Sequence, residues 1–358
     1  MTFSRPAHGL TCRQSCLYRF GHAPLTPKPG STLTPFRIGL LGASRVAVYA
    51  ILEPAAAMSG VEVVAVAARD PERAHAYAQA HGITRAEADY QALVECPDLD
   101  LIYISTAPRD HVGQALAAIA AGKPVLIEKP VTLNATEAKV IHRAAARAGT
   151  PVFEAMHSLH HGMFARIQAI LASGEIGRVR KIDAMFGAPI DPQDPLRWQA
   201  DLGGGALMDL GAYPMAWLRR IAGEAFEVLG ARQEPIGDVD GSFQADLVFA
   251  GDIKCRAYAS MTIERPTARL QIEGDRGMLL ALNPLAPQLG NKLIVKVGDR
   301  QRTETVDGPS SYAAQLAAVR GAVLGEAPFP LEADDFVHAM AALDKVRAAL
   351  RGAARSSG

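Results

Sequence analysis

Short apolar runs alternate with amphipathic segments between Phe36 and about residue 155. The apolar runs predict buried strands at 37–41, 61–68, 101–105, 124–127 and 151–155. The segments between them predict helices at 44–58, with a break near Pro54, at 71–81, at 111–121 and from Asn134 to Arg147. Strands that alternate with helices favour a doubly wound parallel sheet covered on both faces. Residues 37–155 are therefore predicted to form an α/β Rossmann domain.

The second half of the chain has a different pattern. Helices are predicted at 165–172 and 206–221, and extended stretches at 227–232, 242–249, 253–261, 268–273, 292–297 and 302–306. Alternation along 243–249 fits an antiparallel sheet with one covered face. We expect an α+β substrate and dimerisation domain at 156–335, built on an open, mostly antiparallel sheet. A C-terminal helix and tail at 336–358 are expected to pack back on the Rossmann domain.

Composition limits the partners. A chain of 358 residues exceeds what one core usually supports, which is consistent with two domains. The formal net charge is zero and no apolar run could span a bilayer, so neither nucleic acid nor a membrane is an expected partner. Four cysteines lack metal-type spacing and are expected to be free thiols of a cytoplasmic protein. The open sheet face invites a homodimer or higher homo-oligomer.

Residues 1–36 differ from the rest of the chain. They contain five prolines and several basic residues but no acidic residue. Arginines interrupt the apolar stretch that a secretory signal would need. We expect a disordered N-terminal extension, with a transit-type signal as the alternative.

The first predicted strand runs into a dinucleotide-type loop. Gly42 supplies the tight turn, Ser44 takes the place of the second glycine, and Ala47 is small enough for helix and strand to approach. The backbone amides of Ala43, Ser44, Arg45 and Val46 would then point at a pyrophosphate from the positive end of a helix. A tight strand-to-helix turn without a ligand is the alternative.

The end of the second strand distinguishes the two nicotinamide cofactors. A carboxylate there binds a free ribose 2′-hydroxyl, whereas an arginine accommodates a 2′-phosphate. Arg69 comes first and Asp70 follows, where the carboxylate can instead cap the next helix. The sequence therefore favours NADP over NAD, unless Arg69 is simply a solvated loop charge.

Three motifs together resemble the Gfo/Idh/MocA oxidoreductase family over roughly residues 37–350. They are the nucleotide loop, the AGKPVLIEKP segment at 121–130 and the GGGALMDLGAY segment at 203–213. The VAVAARD segment, the GGGALMDLGAY segment and the LNP at 282–284 look nearest to the dimeric dihydrodiol and D-xylose dehydrogenases, which use NADP. The resemblance implies a nicotinamide-dependent oxidoreductase.

The family pattern implies a catalytic group of Lys129, Asp209 and Tyr213. Lys129 ends a parallel strand, the edge at which open α/β sheets bind ligands. Asp209 and Tyr213 are four residues apart and would share one face of the predicted helix. The resemblance makes Tyr213 the proton-transfer residue, with its pKa lowered by Lys129, and Asp209 a substrate-binding or orienting group. The alternative is that Lys129 transfers the proton and Tyr213 only donates a hydrogen bond.

Further positions are expected around the same site. The resemblance implies that Thr106, Pro108 and His111 contact the cofactor, unless they merely cap a helix. It also implies that Glu128, Arg197 and Trp198 lie near the nicotinamide, where Trp198 either stacks on the ring or simply packs. His157 is expected to line the substrate pocket, whereas His160 and His161 are predicted to be exposed turn residues. We expect no metal site.

The sequence thus leaves competing hypotheses. The first is an NADP-dependent dehydrogenase or reductase acting on a CH–OH group of a sugar, polyol or vicinal diol. The second is a non-catalytic dinucleotide-binding regulator of the same fold. A third is an enzyme that recycles a tightly bound cofactor between two substrates, with residues 1–36 as an arm.

Overall fold

The structure is a computed structural model that describes residues 35–356. The predicted disordered extension lies outside this range except for its last two residues, as do Cys12 and Cys16. Cys96 and Cys255 are free thiols. Among the described residues, no helix is long and apolar enough to cross a membrane.

The first half of the chain forms a six-stranded parallel sheet in the order β3-β2-β1-β4-β5-β6. This is the strand order of a Rossmann domain, and it reverses direction between β1 and β4. The predicted doubly wound fold is confirmed. The strands are β1 (Phe36–Leu41), β2 (Val61–Ala67), β3 (Arg85–Ala86), β4 (Leu101–Ile104), β5 (Val125–Glu128) and β6 (Val152–Ala155).

Most helices of this half begin at side-chain caps. Asp70 accepts from the Glu72 N–H and opens the helix that starts at Pro71, and Asn134 caps the helix that ends at Ala148. The helices are α1 (Arg45–Ala47), α2 (Glu53–Ala57), α3 (Pro71–His81), α4 (Tyr90–Glu95), α5 (His111–Ala120) and α6 (Ala135–Ala148).

The predicted break near Pro54 does not occur. A π-helical turn at Val48–Leu52 joins α1 to α2, and Pro54 lies in the first turn of α2. The Glu53 N–H donates to the Val48 carbonyl, and the helical backbone continues through Pro54, which has no N–H to donate. Tyr49 lies in this π-helical turn.

The second half forms an eight-stranded sheet in the order β14-β13-β12-β11-β7-β10-β9-β8. Only the β7–β10 pair is parallel, so the predicted open, mostly antiparallel sheet is confirmed. The strands are β7 (Val179–Gly187), β8 (Phe226–Ile236), β9 (Val239–Phe249), β10 (Ile253–Ser260), β11 (Thr267–Gly274), β12 (Gly277–Leu282), β13 (Lys292–Val297) and β14 (Arg300–Glu304).

Helices cover one face of this sheet and connect it to the Rossmann domain. They are α7 (Gly162–Ala172), α8 (Ala206–Asp209), α9 (Ala212–Ala222), α10 (Ser311–Val323) and α11 (Asp335–Ser356). Leu316 and Val319 of α10 share an apolar core with β1 and β2. On α11, Asp344 accepts from the Ala135 N–H, at the start of α6, at 2.8 Å.

One predicted helix is two helices. The expected helix at 206–221 is interrupted at Leu210 and Gly211, where the Gly211 N–H donates to the Ala206 carbonyl. A Cβ at Gly211 would lie 2.5 Å from the Phe243 ring, so only glycine lets this bend pack against β9. Asp209 therefore ends one helix and Tyr213 begins the next.

Candidate active site

A cleft of about 410 Å³ opens at the carboxyl ends of β1, β4 and β5, where the strand order reverses. Open α/β sheets bind ligands at this position. Most predicted site residues line the cleft: Ser44, Arg45, Val46, Thr106, Pro108, His111, Glu128, Lys129, Arg197 and Asp209. Tyr213 is buried next to the lining residue Lys129, and His157 is buried next to Tyr213. Arg69 follows the end of β2.

The nucleotide loop has the geometry that a phosphate group needs. Gly42 has φ of +116°, and a Cβ there would lie about 3.1–3.2 Å from Ser105. The Ser44 hydroxyl accepts from the Ala47 N–H and donates to Ser105 Oγ at 2.8 Å. The first amides of α1, at Arg45 and Val46, line the cleft and have no intrahelical acceptor. These residues fit a dinucleotide pyrophosphate.

A second arginine lies near the loop. Arg69 is exposed, and Asp70 caps α3 as expected. Arg73, in the first turn of α3, donates to the Ala43 carbonyl at 2.8 Å. Arg73 is absent from the residues predicted from sequence, although its place four residues after Arg69 is a usable signal. The Arg73 guanidinium is therefore held at the nucleotide loop, and the exposed Arg69 lies four residues earlier, just after β2.

Lys129, Asp209 and Arg197 form the charged centre of the cleft. The Lys129 ammonium donates to the Asp209 carboxylate at 2.9 Å and to the Asp209 carbonyl at 2.7 Å. Arg197 donates to the other carboxylate oxygen at 2.5 Å. Burial alone would raise the pKa of Asp209, but the charges of Lys129 and Arg197 outweigh it and the pKa is lowered. Asp209 is thus an anion that fixes both cations.

Tyr213 lies beside Lys129, whose Nζ is 5.1 Å from the centre of its ring. The expected fall in the pKa of Tyr213 is wrong. Burial raises the pKa well above 10, and the nearby Tyr312 and Glu128 raise it further. The sequence indicates the nearby cation but not the desolvation of the phenol. Tyr213 is therefore a protonated phenol.

The three neighbouring histidines have separate surroundings. His157 is buried, with its ring nitrogens at hydrogen-bond distance from Tyr213 and Ser311. The prediction that His160 and His161 are exposed is wrong: His160 is half-buried, and His161 is buried and caps α7 through the Met163 N–H. Within residues 35–356, no group of three or more histidine, cysteine, aspartate or glutamate side chains is arranged to hold a metal ion.

The wall formed by β4 and β5 is held by internal bonds. The ring nitrogens of His111 lie 3.1 Å from the carbonyls of Thr106 and Val131, so His111 shapes the wall and offers no free nitrogen. Glu128 accepts from the Tyr103 hydroxyl at 2.6 Å, and burial raises its pKa. The peptide bond between Lys129 and Pro130 is cis.

Trp198 does not line the nucleotide cleft. Its indole N–H donates to the Asp191 carbonyl at 2.8 Å. The ring lines a second, largely apolar cavity of about 480 Å³ together with Ile190, Met261 and Ile263. Of the two arrangements expected for Trp198, stacking at the nicotinamide or simple packing, the structure has the side chain packed at this second cavity.

Tyr49 is a cleft residue that the sequence does not predict. It projects from the π-helical turn, lines the cleft and remains 41% exposed. Its ring meets that of Tyr312 edge-on at 5.3 Å. A π-helical turn has no signature in the amphipathic pattern, so the sequence carries no signal for Tyr49.

Comparison with known proteins identifies both halves of the chain. Residues 36–156 match the Gfo/Idh/MocA oxidoreductase family with its NAD-binding Rossmann fold, and residues 164–280 match the C-terminal domain of the same family. The resemblance found in the sequence is therefore confirmed.

Two relatives and one solved structure indicate the chemistry found in this family. A dTDP-3,4-didehydro-2,6-dideoxy-α-D-glucose 3-reductase from Actinomadura kijaniata is 30% identical over 322 residues, 88% of this chain and 96% of the relative. Trans-1,2-dihydrobenzene-1,2-diol dehydrogenase from Homo sapiens is 32% identical over 229 residues, 62% of this chain and 67% of the relative. The crystal structure of KijD10, a 3-ketoreductase from A. kijaniata in complex with NADP and TDP-benzene, is similar with a TM-score of 0.81 at 27% identity. The similarity covers 88% of this chain and 98% of KijD10.

Proposed function

Because the chain belongs to the Gfo/Idh/MocA oxidoreductase family, we propose that it transfers hydride between NADP and a sugar, polyol or vicinal diol. Similarity to a sugar-nucleotide reductase and to a diol dehydrogenase supports this substrate class. NADP, when bound, supplies or accepts the hydride. The protein then needs to hold the substrate oxygen and to move one proton.

Lys129 is the group that contacts the reacting oxygen in this proposal. An ammonium has three N–H donors, and Asp209 accepts from two of them. Among the described residues the third has no acceptor, and the side chain lines the cleft. This N–H can donate to a carbonyl or alkoxide oxygen, where a positive charge stabilises the developing negative charge.

Asp209 and Tyr213 complete the proposed catalytic group. Asp209 orients Lys129 and does not accept a proton itself, since two cations stabilise its carboxylate. Tyr213 exchanges the proton with the substrate oxygen. With its pKa raised by burial, it does so as a phenol that must pass one proton on as it takes another.

The preference for NADP rests on Arg69 and Arg73. A guanidinium pairs with phosphate through parallel hydrogen bonds and is always charged. NADPH should raise the melting temperature more than NADH at equal concentration, and Arg69→Ala with Arg73→Ala should remove the difference. Equal stabilisation of the wild-type protein by both nucleotides would contradict the preference.

The observation that carries the proposal is the Lys129–Asp209–Arg197 cluster, held on the cleft of a Rossmann domain. The test is NADPH consumption against a panel of aldoses, keto-sugars and diketones, with NADP⁺ reduction by polyols and vicinal diols as the reverse assay. Turnover of any of these would support an enzyme. Tight NADPH binding with no turnover across the panel would favour the non-catalytic regulator instead.

A further inference from the structure

A string of hydrogen bonds leads from Tyr213 away from the cleft. The Tyr213 hydroxyl lies 3.2 Å from Nε2 of His157, and Nδ1 of His157 lies 2.8 Å from the Ser311 hydroxyl. Ser311 in turn lies 3.2 Å from the side-chain oxygen of Gln288, which is exposed. His157 and Ser311 are both buried, so the string leads from the phenol through the protein interior to the surface at Gln288.

The direction of each hydrogen bond follows from the Gln288 end. The Ser311 backbone N–H donates to Gln288 Oε1 at 3.2 Å, which fixes this atom as the oxygen of the amide. In the arrangement that gives every donor of the string an acceptor, the Ser311 hydroxyl donates its one hydrogen to the same oxygen and accepts from His157. Nδ1 of His157 therefore carries the proton, and Nε2 is a bare acceptor for the Tyr213 hydroxyl.

The ring of His157 is held in this orientation. It stacks on Tyr312 at 3.9 Å with 23° between the ring planes and meets the Tyr213 ring edge-on at 5.5 Å. Burial and the charge of Lys129 lower the pKa of His157 to about 3, so the imidazole is neutral. A neutral imidazole with one N–H and one bare nitrogen can take a proton on one side and release one on the other.

We propose that His157 and Ser311 form a proton relay between the Tyr213 hydroxyl and solvent at Gln288. This inference rests on the function proposed above. During oxidation of an alcohol, the substrate hydroxyl proton passes to the phenol oxygen, and the phenol's own proton passes to Nε2 of His157. The Nδ1 proton passes to the Ser311 oxygen, and the Ser311 hydroxyl proton passes to solvent water when the exposed Gln288 side chain moves aside.

The relay is balanced and reversible. One proton enters it and one leaves, while the electron pair leaves the substrate separately as hydride. Reduction of a carbonyl runs the same transfers backwards, with water as the proton source. Since Tyr213 gives up a proton as it takes one, the buried phenolate that desolvation disfavours never has to form.

The test compares three variants in the best reaction found with the substrate panel. Ser311→Ala removes the exit from the relay, His157→Phe keeps a ring on Tyr312 but removes both nitrogens, and Ser158→Ala is the matched control. Ser158 is a buried serine next to His157 that accepts from the Trp217 indole and lies outside the relay. The readouts are kcat, KM and kcat in mixtures of H₂O and D₂O.

We expect kcat of Ser311→Ala to fall about tenfold with KM unchanged. This is less than the roughly 100-fold loss typical of a removed acid or base, because Tyr213 and His157 are still present. The dependence of kcat on deuterium content should be curved in the wild-type protein, as for several protons in motion, and linear in Ser311→Ala. Ser158→Ala should match the wild type. Wild-type kcat and an unchanged deuterium dependence in Ser311→Ala would overturn the relay, even where the enzyme turns over substrate as proposed.

The histidine proton positions provide a readout that does not need activity. Nitrogen-15 spectra of labelled protein, with the His157 signals assigned by their loss in His157→Phe, should show Nδ1 protonated and Nε2 bare. A proton on Nε2 in the wild-type protein would contradict proton transfer from Tyr213 to His157.

Discussion

Single residues show how burial changes chemistry that a sequence suggests. The sequence predicts that Lys129 acidifies Tyr213, and the cation does lie beside its ring. Removing the phenol from water has the larger effect, and the pKa rises. Conversely, Asp209 is as deeply buried but keeps its charge, because Lys129 and Arg197 each donate to it. Two cations that donate directly to the carboxylate keep Asp209 ionised, whereas one cation beside the ring does not ionise Tyr213.

Glu154 provides a test of this reasoning at the residue scale. Burial and the nearby Asp335 raise its pKa from 4.5 to about 8. The folded protein thus binds this proton more tightly than the unfolded chain, so the stability it gives is present at low pH. That stability should be lost as the pH rises from about 4.5 to about 8, at up to about 1.4 kcal/mol per pH unit.

Glu154→Gln should remove this slope, because an amide of the same shape does not titrate. The measurement is urea denaturation of both proteins between pH 5 and pH 8, and the variant should be the more stable of the two at pH 8. Parallel stability curves for the two proteins across this range would contradict a raised pKa.

At the scale of elements, the position of Asp209 depends on a strand residue that caps the helix α8. The Asp240 carboxylate, on β9, accepts from the Leu207 N–H at 2.7 Å at the start of α8, which ends at Asp209. Asp240→Ala should lower the free energy of unfolding by about 1 kcal/mol. It should also lower kcat, since α8 positions the carboxylate that holds Lys129.

The control for this cap is Asp238→Ala. Asp238 is exposed at the tip of the same hairpin and accepts from the Ala200 N–H at 3.3 Å. Denaturation and turnover of the two variants should differ clearly. Equal effects would show that the cap at α8 has no special role.

The predictability of each element follows from how local its determinants are. The strands and caps of the Rossmann half can be predicted because apolar runs and residues such as Asp70 and Asn134 act over short distances. Several elements escape prediction. In β7, the charged residues Arg180, Lys181 and Asp183 hide the alternation, and β12 is too uniformly apolar to show a period. The strand β3 has only two residues and the helix α4 only six.

The residues of the candidate site also differ in how local their determinants are. The motif residues Ser44, Lys129 and Asp209 lie in the cleft as predicted, because strand ends and glycine loops can be read locally. The bend at Gly211 depends on Phe243, and Tyr49 lies in a π-helical turn. Both are set by contacts far apart in the sequence or by a rare helix type, which no local pattern reveals.

At the scale of the whole molecule, the face of the eight-stranded sheet that the helices leave uncovered carries apolar as well as polar side chains. Half-buried apolar side chains lie there in two groups on either side of β11: Met185 and Tyr258 on β7 and β10, and Met278, Leu280 and Ile294 on β12 and β13. A second copy of the chain could cover this face through a two-fold interface. Light scattering after size exclusion should give twice the chain mass of 38.0 kDa.

Met185→Glu should shift the protein toward the monomer, because it places a charge in the centre of this face. Val140→Glu is the matched control, since Val140 is exposed on α6 of the Rossmann domain. A wild-type protein that is monomeric at all concentrations, or a Met185→Glu variant that remains dimeric, would contradict the predicted interface.

Turnover by Lys129→Met is the decisive measurement, because the proposed function requires Lys129 at the reacting oxygen. The exposed Lys139→Met on α6 is the control. We predict that Lys129→Met still binds NADPH, as followed by fluorescence, while kcat falls at least about 100-fold and Lys139→Met is unaffected. Turnover by Lys129→Met near that of the wild type would contradict this role of Lys129.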